Sequence, residues 1–328
     1  MKKNIVFFIV ILVVFVSLAL AACNGGGGTI TDVSVQLKWL HTVQFAGHYV
    51  AAEEGYYVDE GLNVTIEPID FDSIAGIEEL VATGQNTFGI TSADQVIIAR
   101  SQGIPVKAVA VIFRINPLVM LAVDDVVVNK PADLVGKTVA THEGQADLIY
   151  RTMMENAGVD LSQITHVTPS SFNALECLQN ADVCSAYSTD GVVEAVMKGH
   201  TTYVLWPDEY GVPFYADVII ASDEYIEQHP DMVAAFVSAT LKGWQQAVEN
   251  PSMAVDDTLK FDPNLDRDFQ MESMKATIPL VDTGNIAIGL MEPEIWQTMY
   301  DILLDKGMLE SAVNLEDVYT NEFVEGSK

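Results

Sequence analysis

The side chains with the most chemical reach stand where an apolar run gives way to a turn. Val35–Lys38 is a short alternating run followed by Trp39, and the turn after it carries His41, Gln44 and Phe45. An indole at the end of a strand offers a flat face for stacking a planar ring, or it packs under the next helix; the polar neighbours Lys38 and His41 favour the open face. Gln44 both donates to and accepts from ring nitrogens and carbonyls, which suits a neutral heterocycle. Phe45 stacks on such a ring or packs beneath it. Ser92 and Asp94 begin an apolar helical run, where free backbone N–H groups are available to a ligand and where helix capping explains both side chains equally well. In the loop His142-Glu143-Gly144-Gln145, Glu143 is a hydrogen-bond acceptor or a solvated carboxylate. Tyr187 and Asp190 follow at the end of another strand, Asp190 at a cap position, and Tyr215 and Asp217 flank Ala216 further on. This inventory serves stacking and hydrogen bonding. The glycine-rich loop ending in Lys-Ser/Thr that cradles nucleotide phosphates does not occur, and the 6 histidines are scattered without a metal-ligand cluster.

The elements that must carry these residues follow from periodicity. The first run leads into a helix over Ala46–Glu54 that stops at Gly55, and a second strand follows over Asn63–Glu67: one βαβ unit, whose strand-to-helix loop lies where open α/β sheets bind ligands. Helices are expected over Ile74–Ala82 and Val96–Ala99, with strands at Phe88–Ile90 and Val106–Phe113. The same grammar repeats from Leu118–Val123 through a short helix at Pro131–Leu134, a strand at Gly136–Ala140, a helix over Gln145–Ala157 and a helix over Phe172–Leu178. A strand at Val183–Tyr187, a helix over Gly191–Met197 and a strand at Tyr203–Trp206 complete it. Such alternation predicts mostly parallel sheet covered on both faces. Beyond the strand Val218–Ala221 the pattern is helical, over Glu224–Gln228, Pro230–Val248, Met253–Leu259, Asp268–Ile278 and Glu292–Lys306.

The run QLKWLHTVQFAGHYVAAEEGYYVDEGLNVTI resembles the opening of the periplasmic solute-binding proteins related to the thiamine-pyrimidine synthases and pyrimidine-precursor-binding proteins. The similarity continues through FGITSADQVIIARSQGIPVKAVA and YGVPFYADVIIASDEYIEQHPDMVAAFVSATLKGWQQA. It implies an α/β, type II periplasmic-binding-protein fold: two α/β lobes joined by a hinge, with the ligand cleft between them. By this resemblance residues 31–115 and 217–328 form the first lobe and 116–216 the second, with crossings near Phe113–Pro117 and Tyr215–Ile219. It also puts Trp39 in the cleft, the His142–Gln145 loop beside the ligand, and an acceptor near Tyr215-Ala216-Asp217. The family's Gly-Glu-Phe-Gly loop is His-Glu-Gly-Gln here and its Tyr-Asp-Glu is Tyr-Ala-Asp, which speaks against phosphate recognition and loosens the aminopyrimidine assignment. An aromatic at Tyr215 could clamp a ring opposite Trp39.

Composition sets the address. Lys2 and Lys3, the apolar run Ile5–Leu20 and Leu20-Ala21-Ala22-Cys23 read as a lipoprotein export signal over residues 1–22. Cys23 is then the lipidated first mature residue, and the Gly-rich stretch of 23–30 a tether. The apolar run is short for a membrane span of about 20 residues. The expected location is the outer face of the cell membrane, held by the lipid. Cys177 and Cys184 pair in a disulfide or stay as two buried thiols; the spacing alone leaves both open. A net charge of −30, from 16 basic and 46 acidic residues, excludes nucleic acid as a partner, because phosphate binding needs a basic stripe.

The resemblance implies a binding protein that hands a small heteroaromatic solute, riboflavin or a thiamine pyrimidine precursor with riboflavin slightly ahead, to the permease and ATPase subunits of an ABC importer. It needs no cofactor and is not an enzyme. The synthase relatives carry a lysine for pyridoxal phosphate, a histidine four residues on and a Cys-Cys-Cys-Phe-Cys run. Thr91, Gln95 and Gly211–Tyr215 stand at those places here. A nitrate- or sulfonate-like anion is the other ligand class, with Lys38 and Arg114 as the candidate cations.

Overall fold

The computed structural model describes residues 30–325; the expected signal, Cys23 and most of the glycine tether lie outside them. The first sheet has strand order β2-β1-β3-β10-β4, with β1 at Thr31–Gln36, β2 at Leu62–Glu67, β3 at Phe88–Ser92, β4 at Val106–Val111 and β10 at Asp217–Ser222. The second has order β7-β6-β8-β5-β9, with β5 at Leu118–Val123, β6 at Thr138–Ala140, β7 at Thr165–Val167, β8 at Val183–Tyr187 and β9 at Thr202–Leu205. The two orders are the same once each sheet is counted from its own first βαβ unit. This is the two-lobed arrangement of a type II periplasmic-binding-protein fold.

The sheets are mixed, not mostly parallel. β1 pairs parallel with β3, and β6 with both β7 and β8, but β10 runs antiparallel to β3 and β4, and β5 antiparallel to β8 and β9. Each antiparallel strand enters its sheet directly after the chain has crossed from the other one, so its direction is set by the crossing and not by a βαβ turn. Its first residue therefore lies at the carboxyl edge of the parallel strands. Asp217 is level with Ser92, and Leu118 with Tyr187. Because β10 begins at Asp217, Val218 and Ile219 are already inside the first sheet, and the second crossing ends earlier than expected.

The helices that matter for the cleft are α1 (Ala46–Glu53), α2 (Ile77–Ala82), α3 (Ala93–Ser101), α4 (Gln145–Asn156), α5 (Gly191–Met197), α6 (Pro230–Glu249), α7 (Pro251–Phe261), α8 (Arg267–Val281) and α9 (Pro293–Asp305). α1 crosses α6 with almost no side chain between them. A Cβ on Gly243 would stand 2.1 Å from the Gly47 carbonyl oxygen, and one on Gly47 2.2 Å from the Trp244 ring. This contact and a core containing Tyr49, Phe88, Phe236 and Trp244 fix the base of the loop that carries Trp39. Cys177 and Cys184 are joined by a disulfide, with their Cα atoms 6.3 Å apart, which resolves the two thiol readings. Among the described residues no helix is long and apolar enough to cross a membrane.

Candidate functional site

The carboxyl edges of both sheets face one cavity of about 430 Å³. From the first lobe it is lined by Lys38, Trp39, Thr42, Val43, Gln44 and Ser92, and from the second by Leu118, His142, Glu143, Gln145, Phe172, Tyr187, Thr189 and Asp190 among others. α8 supplies Phe269, Gln270, Ser273 and Thr277. A cavity of this size lies within the range of small-molecule sites, about 300–1,000 Å³.

Six of the ten residues expected to meet a ligand line this space: Trp39, Gln44, Ser92, Glu143, Tyr187 and Asp190. The other four do not. Phe45 is 1% exposed and packs in the core of the first lobe, as the last residue of the short helix that leads into α1. Tyr215 is also buried, against Trp296, and its hydroxyl accepts from the Glu292 N–H at 2.9 Å. It lies outside the cavity and clamps no ring opposite Trp39; burial pushes its phenol up to about 12. Asp217 and Asp94, each 1% exposed, sit beneath the lining and hold it in place. Arg114, one of the two expected cations, is also absent from the cavity: its guanidinium donates to Glu292 and to the Leu290 carbonyl.

Asp217 accepts from Gln44 Nε2 at 2.8 Å and pairs with Lys38 Nζ at 3.1 Å, while Lys38 also donates to Ser92 Oγ at 2.7 Å. Burial alone would lower the Lys38 ammonium. Asp217, Tyr187 and Asp94 outweigh it and hold the group above the ordinary lysine value, so Lys38 is a charged but fully engaged cation. Burial likewise raises the Tyr187 phenol, against the pull of Lys38. Ser92 and Asp190 occupy helix N-cap positions, yet neither side chain makes a cap hydrogen bond. Capping therefore does not account for them. Asp94 accepts from Gln145 Nε2 of the second lobe and from Gln95 Nε2 at 3.2 Å, and burial raises its carboxyl.

The aromatic partner of Trp39 is Phe172. Their ring centroids are 5.4 Å apart and edge-on, so the two lobes touch through aromatic rings at the cavity. Phe71 packs edge-on against Trp39 from the first lobe at 5.6 Å, and His142 stacks on Phe172 at 4.2 Å. Burial lowers the His142 imidazole, which leaves it neutral at pH 7. Phe172 is held by its neighbours: Asn173 caps the Ala174–Cys177 helix through Glu176 N–H and donates to Glu194, and the disulfide ties the end of that helix to β8. Gly144, at φ +87°, adopts a backbone that favours glycine and so sets Glu143 and Gln145 on either side of the start of α4.

Sequence reasoning expected a helix at α8 but gave neither Phe172 nor any residue of α8 a place at the cavity. A large aromatic left 68% exposed has no sequence signature separating it from a core phenylalanine. α8 did carry a signal: Gln270, Ser273 and Thr277 recur at helical spacing on its buried face, where apolar residues are the rule. Among the described residues no group of His, Cys, Asp and Glu is arranged to hold a metal ion.

The chain is similar to known proteins over most of its length. It is 30% identical to the formylaminopyrimidine-binding protein of Halalkalibacterium halodurans, over 96% of this chain and 98% of that protein. It is 26% identical to the riboflavin-binding protein RibY of Chloroflexus aurantiacus, over 91% of this chain and 87% of that one. The periplasmic aliphatic sulphonate binding protein SsuA of Escherichia coli has the same fold, with a TM-score of 0.67 over 87% of this chain and 91% of that one, at 14% identity. The family described as NMT1/THI5 like matches residues 42–254, and the chain belongs to that family.

Proposed function

We propose that this chain is the extracytoplasmic solute-binding component of an ABC importer. It captures a neutral, small heteroaromatic solute, riboflavin before a thiamine pyrimidine precursor, and delivers it to permease and ATPase subunits. The observation that carries this reading is the aromatic pair Trp39 and Phe172, one ring from each sheet's side of a cavity of about 430 Å³. Aromatic faces at a cleft mouth recognise planar rings. The family and the printed names of the two curated relatives support the ligand class. Riboflavin comes first because the Asp217 carboxylate, the expected acceptor for an aminopyrimidine, is committed to Lys38 and Gln44.

An anion finds little welcome in this cavity. Lys38 is neutralised by Asp217, and Glu143 and Asp190 add negative charge to the walls. Binding, not catalysis, is the role we assign: Thr91 and Gln95 supply no nucleophilic lysine and no histidine, and Thr91 Oγ1 donates to Glu78. The address we assign is the outer face of the cell membrane, through a lipid on Cys23. The lobes we assign are residues 31–115 with 217–328, and 116–216.

A thermal-shift panel with detergent-solubilised full-length protein tests the reading. Riboflavin or an aminopyrimidine should raise the melting midpoint, because a ligand that binds only the native state stabilises it. A midpoint raised by taurine or nitrate and by neither ring compound would overturn it.

A further inference from the structure

Helix α8 forms one wall of the cavity and spans both lobes. It packs on the Val43–Phe45 turn of the first and on α5 of the second. The face it turns inward is polar where it meets the cavity: Gln270, Ser273 and Thr277 are 2%, 4% and 0% exposed, and all three line the space. Met274, Leu280 and Val281 continue the buried face into the apolar core. At 1.5 Å rise per residue, Gln270 to Thr277 is a row of polar groups about 10 Å long, longer than a single six-membered ring.

The hydrogen-bonding capacity of this row is specific. Gln270 Oε1 accepts from the Val43 N–H at 2.9 Å, which fixes the amide and leaves its NH₂ as a donor. Thr277 Oγ1 spends its proton on the Ser273 carbonyl at 2.9 Å and keeps lone pairs to accept. The Ser273 hydroxyl is buried and meets no hydrogen-bond partner among the described residues. Buried polar atoms are almost always paired, so an unpaired hydroxyl on a residue that lines the cavity is a group left available to a ligand. A row that reads donor, donor-or-acceptor, acceptor complements hydroxyl groups, which do both. A carboxylate or sulfonate only accepts and an ammonium only donates.

We infer that α8 reads a hydroxylated chain attached to the planar ring, with Ser273 as a specificity-determining contact. This rests on the proposal that the cavity takes a heteroaromatic solute, and it narrows that class to ring-plus-polyol molecules such as riboflavin over bare pyrimidines.

The test is Ser273→Ala, titrated with riboflavin, with a flavin bearing a methyl group in place of the hydroxylated chain, and with an aminopyrimidine. Ala is the better helix former and removes an unpaired buried hydroxyl, so the unliganded variant should melt at the same temperature as the parent or slightly higher. Riboflavin affinity should fall about tenfold, the effect of one lost hydrogen bond, and the chainless flavin should bind parent and variant alike. Unchanged riboflavin affinity, or an equal loss for both flavins, would overturn the inference. Parent protein that prefers the aminopyrimidine over riboflavin would overturn it too while leaving the ring-binding reading intact; binding of none of the three would remove both.

Discussion

Asp217→Asn tests the proposal that the Lys38–Asp217 pair keeps the cavity from acting as an anion site. In the parent, two opposite charges 3.1 Å apart share a site in which Lys38 is 16% and Asp217 1% exposed. At an effective dielectric constant of about 20 their attraction is about 5 kcal/mol. Removing one partner of a buried pair costs about 3–5 kcal/mol, because the other charge is left behind. Asn keeps an acceptor for Gln44, and Lys38 keeps Ser92, so the lower end applies: about 3 kcal/mol, or a midpoint lowered by roughly 6–12 °C. The pH dependence has a definite sign. In the parent, Lys38 titrates above its ordinary value near 10.5, so the stability from the pair is complete below that pH and is lost as pH rises through the folded value. Without Asp217 the largest pull against burial is gone and only Tyr187 and Asp94 oppose it, so the folded value is expected to drop below the unfolded one. The variant is then penalised most at neutral pH, and its deficit shrinks toward pH 10. Denaturant melts of both proteins from pH 6 to 10 measure this, and repetition with sulfate asks whether the freed ammonium now recruits an anion. A variant within about 0.5 kcal/mol of the parent at pH 7, flat with pH and indifferent to sulfate, would refute the reasoning.

Gly243→Ala forces a Cβ to within 2.1 Å of the Gly47 carbonyl oxygen, a backbone atom that cannot rotate away. It should destabilise by about 3 kcal/mol, the top of the range for overpacking, as read from urea melts. Trp39→Ala and Phe172→Ala should each weaken ring binding by about 1–3 kcal/mol in a fluorescence titration with small change in melting temperature, since Trp39 is half-buried and Phe172 exposed.

Much of the fold was legible because hydrophobic period and end signals agreed locally. The strand Val183–Tyr187 and the helix Gly191–Met197 fall where periodicity puts them, and the long helix Pro230–Glu249 differs by one residue. What escaped was non-local. β7, at Thr165–Val167, is a three-residue edge strand with two exposed residues, too short and too wet to show a period. The direction of β5 and β10 depends on where the chain changes sheets, which no local pattern encodes. At the candidate site, strand ends were readable, and Trp39, Ser92, Tyr187 and Asp190, expected from them, line the cavity. Phe45, expected to stack or to pack, packs in the core, and Tyr215, expected to face the cleft, is buried outside it, because an aromatic beside a strand end faces the cavity or the core according to packing that the sequence does not display. Asp217 and Asp94 were expected to meet the ligand; in the structure they lie beneath the lining and hold Lys38, Gln44 and Gln145 from below.

The most direct test of the central claim is a titration of the purified protein with riboflavin, followed by quenching of the flavin emission at low and high salt. A neutral ring bound against Trp39 and Phe172 at the cavity predicts saturable quenching with an affinity that barely changes with salt, because screening acts on charges and not on stacking. No quenching, together with salt-sensitive binding of taurine or nitrate, would contradict the account.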